Sequence, residues 1–247
     1  MPVTSRDLAV PARALAVGAH PDDIEFGCGA TLAKWAAAGC EVSLLVCTDG
    51  SKGTWDPGAE LSDLVSTRQR EQLAAALALG ATGPVRFLGH VDGELASGLA
   101  ERNQVARCIR EVRPDVVLGH DPWQRYRLHP DHRHAGWLVV DGVVAARDPH
   151  FFPDHGIAHH RPAALLLFEA DEPDHVEDVT GFAGVKTAAL EAHESQFEST
   201  MGIAAADTGA AIDNVADHRV PRARSPSLTM VCDEADGPRR SRCSAKN

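Results

Sequence analysis

Two clusters of histidine and acidic residues, far apart in the sequence, have the residue types that metal chemistry needs. The first reads Ala-His-Pro-Asp-Asp-Ile-Glu at 19–25, and the second reads His-Pro-Asp-His at 129–132. Imidazole and carboxylate groups are ligands that zinc accepts, and a catalytic zinc typically takes three protein ligands and one water. Neither cluster makes a site alone. Together they supply three ligands and leave acidic and basic groups for proton transfer, which is the outline of a metal hydrolase.

The neighbouring carboxylates of the first cluster are suited to different tasks. Pro21 favours an extended conformation for His20, as expected at the end of a strand. Asp22 and Asp23 are adjacent, so their side chains point in different directions: one can bind a metal while the other faces the reacting water. An alternative is that Pro-Asp-Asp only caps a helix that begins near Phe26, since aspartate is a good N-cap residue.

The second cluster has two histidines at a helical spacing. If Pro130 opens a helix, His129 and His132 lie three residues apart and come close to one face. One imidazole can then bind a metal and the other can face the reacting group, while Asp131 can orient a ring nitrogen. The alternative is the ordinary start of a surface helix.

Apolar segments that alternate with helical patterns predict the fold class, which is α/β. Crossover units of this kind give a mostly parallel sheet of about five or more strands, in a Rossmann-like three-layer α/β/α arrangement. The predicted strands are 12–19, 41–48, 84–89, 115–120 and 163–169, and the predicted helices are 26–38, 61–79, 98–112, 131–146 and 181–196. Because functional groups gather beyond the carboxyl ends of such strands, His20, His90 and His120 are expected on one rim.

Length and composition narrow the class of protein. The chain has 247 residues, which suits a single catalytic domain at 1–200, followed by an irregular, poorly ordered segment at 201–247. The net charge of −11 without a basic stripe argues against nucleic-acid binding. No apolar run is long enough for a membrane span. The absence of a secretory pattern, together with six cysteines that form no C-x-x-C pair, predicts a cytoplasmic protein.

The paired motifs resemble those of the LmbE-like, or PIG-L, family of zinc-dependent N-deacetylases. The resemblance extends from about Ala14 to Gln196 and includes three further motifs: Arg-Gln-Arg-Glu at 68–71, Gly-His-Val-Asp-Gly at 89–93 and Ala-His-Glu-Ser-Gln at 192–196. It implies the LmbE-like fold and a zinc-dependent hydrolase that removes the N-acetyl group from an N-acetylglucosamine-type conjugate, by attack of a zinc-bound water on the amide carbonyl. It also implies a small amino-sugar substrate and allows a homo-oligomer.

The resemblance further implies a role for each residue of the clusters. His20, Asp23 and His132 correspond to the zinc ligands, and Asp22 corresponds to the general base that acts on the water.

Four more positions are assigned in the same way. His129 corresponds to the group that stabilises the oxyanion and protonates the leaving amine, and Asp131 supports it. Arg68 and Asp92 correspond to positions that touch the sugar in relatives, although Arg68 has an equally good interpretation as part of a structural ion pair.

Three other functions compete with this prediction. An amidase of the same fold could cleave a larger acyl group, as mycothiol S-conjugate amidases do. A nucleotide-binding protein is disfavoured because Gly27-Cys28-Gly29 is followed by Leu32 where the fingerprint needs a third glycine. A non-catalytic binding protein would need neither Asp22 nor His129. The chain also departs from the family after Val220, where Arg, Ser and Pro dominate, which predicts that the C-terminal cap of the pocket is missing, replaced or disordered.

Overall fold

The structure is a computed structural model, and it describes residues 5–203. Within this range the chain forms seven strands and five α-helices. The strands are β1 (Ser5–Arg6), β2 (Arg13–Gly18), β3 (Glu41–Thr48), β4 (Val85–His90), β5 (Val116–His120), β6 (Ala164–Phe168) and β7 (His175–Val176). The helices are α1 (Asp23–Ala37), α2 (Leu61–Ala78), α3 (Leu99–Val112), α4 (Pro130–Arg147) and α5 (Ala183–Glu191).

The main sheet has five parallel strands in the order β4-β3-β2-β5-β6. The chain runs outward from β2 to β4 on one side and returns to start again at β5 on the other, so β2 and β5 lie next to each other although they are distant in sequence. Such a reversal opens a crevice at the carboxyl ends of the two strands, where parallel α/β sheets bind their ligands. The predicted α/β fold is confirmed. β1 and β7 form a separate parallel pair.

Successive side chains of each strand point to opposite faces of the sheet, and this alternation creates the two cores of a three-layer fold. Ala14 and Ala16 of β2 face one hydrophobic cluster, and Leu15 and Val17 face the other. Helix α5 packs against both α1 and α2 on the side of the first cluster, while α3 and α4 pack together over the second. Because both faces are covered, the strands are apolar at nearly every position, as expected for a parallel sheet.

The elements begin and end close to their predicted limits, with two informative differences. α1 starts at Asp23 rather than at Phe26, because Asp22 takes the N-cap position. The last predicted helix, 181–196, is divided: α5 ends at Glu191, and a separate 3₁₀ turn spans Glu194–Gln196. The break follows from a tertiary contact, since the Glu71 carboxylate accepts hydrogen bonds from both the backbone N–H and the hydroxyl of Ser195.

Two residues at the end of the described range pack onto the domain. Met201 and Ile203 are buried against Leu190, and the Ile203 N–H donates to the carbonyl of Phe197. After Ile203, the predicted irregular segment 201–247 lies outside the described residues. The predicted boundary near residue 200 and the prediction about the C-terminal cap therefore stay predictions. In the part of the chain that the structure describes, none of the helices has the length and apolar character needed to span a membrane.

Candidate active site

Both predicted clusters lie in the crevice between β2 and β5. His20 lies two residues after the end of β2, and the short segment after it leads into the first turn of α1. His129 is the N-cap of α4, whose first residue is Pro130, as the sequence predicts. The helix starts here because the His129 ring accepts the Asp131 N–H and because Pro130 suits the first helical position. The topology therefore brings together motifs that are more than a hundred residues apart in sequence.

The three predicted metal ligands converge on one point. His20 Nδ1 lies 3.2 Å from His132 Nε2 and 3.3 Å from Asp23 Oδ2, and His132 Nε2 lies 3.2 Å from Asp23 Oδ1. Burial alone would raise the pKa of Asp23, but His132 and His120 hold it well below its usual range. An ionised carboxylate facing two imidazole nitrogens is a donor set that can bind a divalent cation.

Asp22 has a conformation that frees its carboxylate. It occupies the N-cap position of α1 with φ 107°, in the left-handed region, and its side chain caps nothing. Its backbone N–H donates to Gln72 Oε1 at 3.0 Å, and Arg68 Nη2 lies 3.3 Å from its Oδ2. Burial raises the pKa of Asp22 to about 6 while Arg68 opposes the shift. The alternative that Asp22 only caps the helix is therefore incomplete. The residue occupies the N-cap position, but its carboxylate makes no capping hydrogen bond and is available for catalysis.

Two further carboxylates face the other nitrogen of His20. Asp131 Oδ2 and Asp92 Oδ1 each lie 3.1 Å from His20 Nε2. Asp131 is fully buried and is held in turn by the backbone N–H groups of Gly93 and Leu95. Burial would lower the pKa of His20, but the hydrogen bonds to Asp131, Asp23 and Asp92 outweigh it and raise the pKa. The carboxylate of Asp131 thus orients His20, whereas the sequence interpretation had it support His129.

His129 is oriented by the backbone of its own helix. Its Nδ1 accepts a hydrogen bond from the Asp131 N–H at 3.3 Å, so the proton of the neutral ring is carried by Nε2. Burial and the nearby rings of His20 and His132 lower its pKa. His129 is exposed at the mouth of the site, and its ring lies beside that of His20, with 4.6 Å between the centroids. His129 is therefore suited to donate a hydrogen bond to an oxygen that gains negative charge.

The two residues predicted to touch the sugar also have close partners within the protein. Arg68 is 3% exposed; it donates to the carbonyls of Gly50 and Pro21 in addition to its contact with Asp22. Asp92 is 5% exposed and accepts from the Lys52 N–H. These contacts fix the loop after β3 and the segment before α1. A contact of Arg68 or Asp92 with substrate stays a prediction.

Residues that the sequence analysis gave no role complete the site. His120, at the end of β5, is fully buried with its Nε2 3.2 Å from Asp23 Oδ2. Gln72 is also fully buried, and it connects the backbone of Asp22 to Glu25 through a 2.7 Å hydrogen bond. Two features of the sequence could have identified these residues. His120 stands at a predicted strand end on the same rim, and Gln72 follows Arg68 by one helical turn.

Comparison with known proteins defines the class. The sequence profile described as "PIG-L: GlcNAc-PI de-N-acetylase" matches residues 15–143. Diacetylchitobiose deacetylase of Thermococcus kodakarensis is 35% identical over 188 residues, which cover 75% of this chain and 70% of the relative. The chain therefore belongs to the PIG-L family.

Two further similarities agree with this assignment. 1D-myo-inositol 2-acetamido-2-deoxy-alpha-D-glucopyranoside deacetylase of Streptomyces scabiei is 32% identical over 249 aligned positions, covering 75% of this chain and 76% of the relative. Among solved structures, N,N'-diacetylchitobiose deacetylase from Pyrococcus horikoshii, complexed with an inhibitor, superimposes with a TM-score of 0.72 at 30% identity. The superposition covers 76% of this chain and 71% of that chain, so the five-stranded parallel sheet is the sheet of the family.

Proposed function

We propose that the protein is a zinc-dependent hydrolase that removes the N-acetyl group from an N-acetylglucosamine-type amino-sugar conjugate. The observation that carries the proposal is the convergence of His20, Asp23 and His132 beside a second buried carboxylate, that of Asp22, which caps no helix N–H. The names of the relatives support the reaction and the substrate class, since both curated proteins are deacetylases of acetylated amino sugars.

The donor set fits a zinc ion. Two imidazole nitrogens and one carboxylate within 3.3 Å of one another are a composition that catalytic zinc sites use. Carboxylates behind His20 orient its ring and increase its basicity, as is usual for a histidine that binds a metal. When bound, zinc would act as a Lewis acid and lower the pKa of water from about 15.7 to about 7.

In the proposed mechanism the residues of the chain move the protons and stabilise the charge. Asp22 takes a proton from the water that attacks the amide carbon, since it is buried, ionisable near neutral pH and held by Arg68. The Nε2–H of His129 donates to the carbonyl oxygen as negative charge develops there, and a fixed donor of this kind lowers the barrier by about 3 kcal/mol. The proton on Asp22, or one passed through His129, then reaches the amine, and acetate and a free amine result.

A second candidate of the same chemistry is an amidase for a larger acyl group. The hydrolytic residues would be identical, so only the space beside the carbonyl carbon distinguishes the two. The identity to two acetyl-sugar deacetylases over about three quarters of the chain favours acetate as the acid product.

The experiment is a screen of N-acetylated amino sugars and their conjugates, with acetate release as the readout. Each substrate is paired with its N-butanoyl analogue, and each assay is run with zinc and with a chelator. Acetate release that depends on zinc and exceeds release of the longer acid supports the proposal. Faster release of the longer acid would favour the amidase, and no release of either acid would contradict both.

The cytoplasmic location, the homo-oligomer and the small-molecule partner belong to this proposal as well. A soluble amino-sugar conjugate suits a domain whose described helices do not span a membrane. Fractionation of cells and the mass of the purified protein in solution test the location and the assembly.

A further inference from the structure

We propose that His120 is a positioning residue: it holds one oxygen of Asp23 so that the other oxygen alone is available to the metal. The inference rests on the proposed function, because it assumes that Asp23 is a metal ligand. It assigns a task to a buried histidine at the end of β5 that the proposed reaction does not otherwise use.

The two oxygens of Asp23 have different surroundings. Oδ2 accepts a hydrogen bond from the backbone N–H of His20 at 2.7 Å and a second one from His120 Nε2 at 3.2 Å. Oδ1 faces His132 Nε2 at 3.2 Å and has no N–H donor of this kind among the described residues, whereas Oδ2 also lies 3.3 Å from His20 Nδ1. A carboxylate whose Oδ2 is held by two N–H donors presents Oδ1 to a cation, and it cannot easily rotate to offer both oxygens.

The contacts on the far side of the ring decide which nitrogen of His120 carries a proton. Arg127 Nη1 lies 3.1 Å from His120 Nδ1. A guanidinium group has donors but no acceptor, so this contact is a hydrogen bond only if Nδ1 accepts. The proton of the neutral ring is then on Nε2, and it is directed at Asp23. In the doubly protonated ring Nε2 also carries a proton, so His120 is a donor to Asp23 in either state.

Arg127 is itself fixed by a partly buried ion pair. Its guanidinium binds the carboxylate of Glu169, which lies 3.5 Å from His120 Nδ1 and directly follows β6. Glu169 adopts a left-handed conformation, with φ 62°, that directs its side chain at this point. Backbone strain of this kind persists where surrounding contacts determine it. Arg127, His120 and Asp23 therefore form one chain of contacts from the sheet edge to the metal-binding point.

The expected consequence of losing this donor is weaker metal binding. Partners that orient a metal ligand typically contribute about 10–100-fold to metal affinity. Without His120, Oδ2 loses one of its two donors and the carboxylate can turn. The effect should be on the dissociation constant for zinc, since His120 touches neither Asp22 nor His129 in the contacts described.

The test compares two amides that reproduce different halves of the imidazole. In His120→Gln the side-chain amide reaches the position of Nε2 and can still donate to Asp23. In His120→Asn the amide reaches only the position of Nδ1. It therefore keeps an acceptor for Arg127 but can no longer donate to Asp23. His120→Phe preserves the ring packing against His132 and Phe168 and has no donor; it replaces the Asn variant if that variant fails to fold. His90→Gln, on the same rim but bonded to Gln104, is the control.

Zinc dissociation constants are measured on the full chain by competition with a chromophoric chelator. We expect His120→Asn and His120→Phe to weaken zinc binding by about 10–100-fold, and His120→Gln and His90→Gln to stay within about threefold of the wild type. Equal affinity in the Asn and Gln variants would overturn the inference, whether both are tight or both are weak. A wild-type chain that binds zinc and shows this split, but releases no acetate, would contradict the proposed function alone. A wild-type chain that binds no zinc would overturn both.

Discussion

The backbone of Asp22 lies in the left-handed region, where a residue other than glycine typically costs about 1–3 kcal/mol. Aspartate tolerates this region better than most residues. Two side chains from α2 hold the conformation, since Gln72 accepts from the Asp22 N–H and Arg68 contacts the Asp22 carboxylate. The strain is therefore balanced by buried polar contacts, and the carboxylate is directed away from helix capping. This combination is typical of a residue that is retained for chemistry.

Replacement of Asp22 by asparagine should separate metal binding from turnover. Asp22→Asn keeps the shape and can keep the contact with Arg68, but it cannot accept a proton. We expect zinc content to match that of the wild type and turnover to fall by about 100-fold or more, the usual contribution of a general base. Metal analysis and acetate release measure the two quantities, with the exposed Asp63→Asn on α2 as the control. Turnover close to the wild type would contradict the role given to Asp22.

A second substitution tests the ligand set. His132→Ala removes one of the three converging donors, so we expect the chain to lose most of its zinc and all measurable zinc-dependent turnover. His134→Ala is the matched control, because His134 is on the same helix but contacts Ser97 outside the cluster. Zinc content is measured after dialysis against metal-free buffer. A His132→Ala chain that retains one zinc would show that other donors hold the metal.

At the scale of the elements, close approach of α4 to β5 brings the second motif to the first. A Cβ on Gly136 of α4 would lie 2.7 Å from the carbonyl oxygen of His120, and a Cβ on Gly119 of β5 would lie 2.7 Å from Val139 Cγ2. Such distances exclude a side chain unless the backbone of His120, or the side chain of Val139, moves. The two glycines therefore let the start of α4, with His129 and His132, approach the end of β5.

The free energy of unfolding tests whether the close packing at Gly136 leaves no room for a side chain. Gly136→Ala should lower the free energy of unfolding by about 1–3 kcal/mol, the usual cost of overpacking. Gly184→Ala in α5 is the control: nothing lies within 4 Å of its Cβ position, so the change should be neutral or stabilise by up to about 1 kcal/mol. Chemical denaturation followed by circular dichroism gives both values. Equal stability of the two variants would mean that α4 does not need the close approach.

The limits of the helices and strands also show which features of the fold the sequence pattern can predict. Glu41–Thr48 was predicted with its exact limits, because a buried parallel strand is a continuous apolar run. The end of α5 was not predicted, because it depends on Glu71, which is distant in the sequence and takes the Ser195 N–H. The left-handed turn at Asp22 was also beyond local patterns, since Gln72 and Arg68 hold it from another helix. Local propensity predicts elements, and tertiary contacts decide their ends.

For the whole molecule, residues 5–203 contain both hydrophobic cores and every residue of the candidate site. The motifs predicted which residues meet, because their order fits a parallel sheet with one reversal between β2 and β5. The motifs did not predict the contacts among these residues. The hydrogen bonds of Asp131 with His20 and of His120 with Asp23 depend on the packing of α4 against β5. The family comparison supports the same overall arrangement.

The predicted domain boundary leads to a truncation experiment. A chain that ends after Ile203 keeps the contacts of Met201 and Ile203 with Leu190 and Phe197. We expect it to unfold in one cooperative transition and to bind one zinc as the full chain does. Thermal unfolding and zinc competition check this. Loss of folding or of zinc binding would show that residues after 203 belong to the catalytic domain.

The most direct test of the account is a zinc titration of metal-free enzyme with acetate release as the readout, on the best substrate of the screen. The three proposed ligands converge around one point, so activity should rise from zero in proportion to added zinc and reach a plateau at one zinc per chain. In Asp22→Asn the same titration should show zinc binding at the same stoichiometry with no rise in acetate release. Acetate release at full rate from the metal-free wild-type enzyme, with chelator present, would contradict the account.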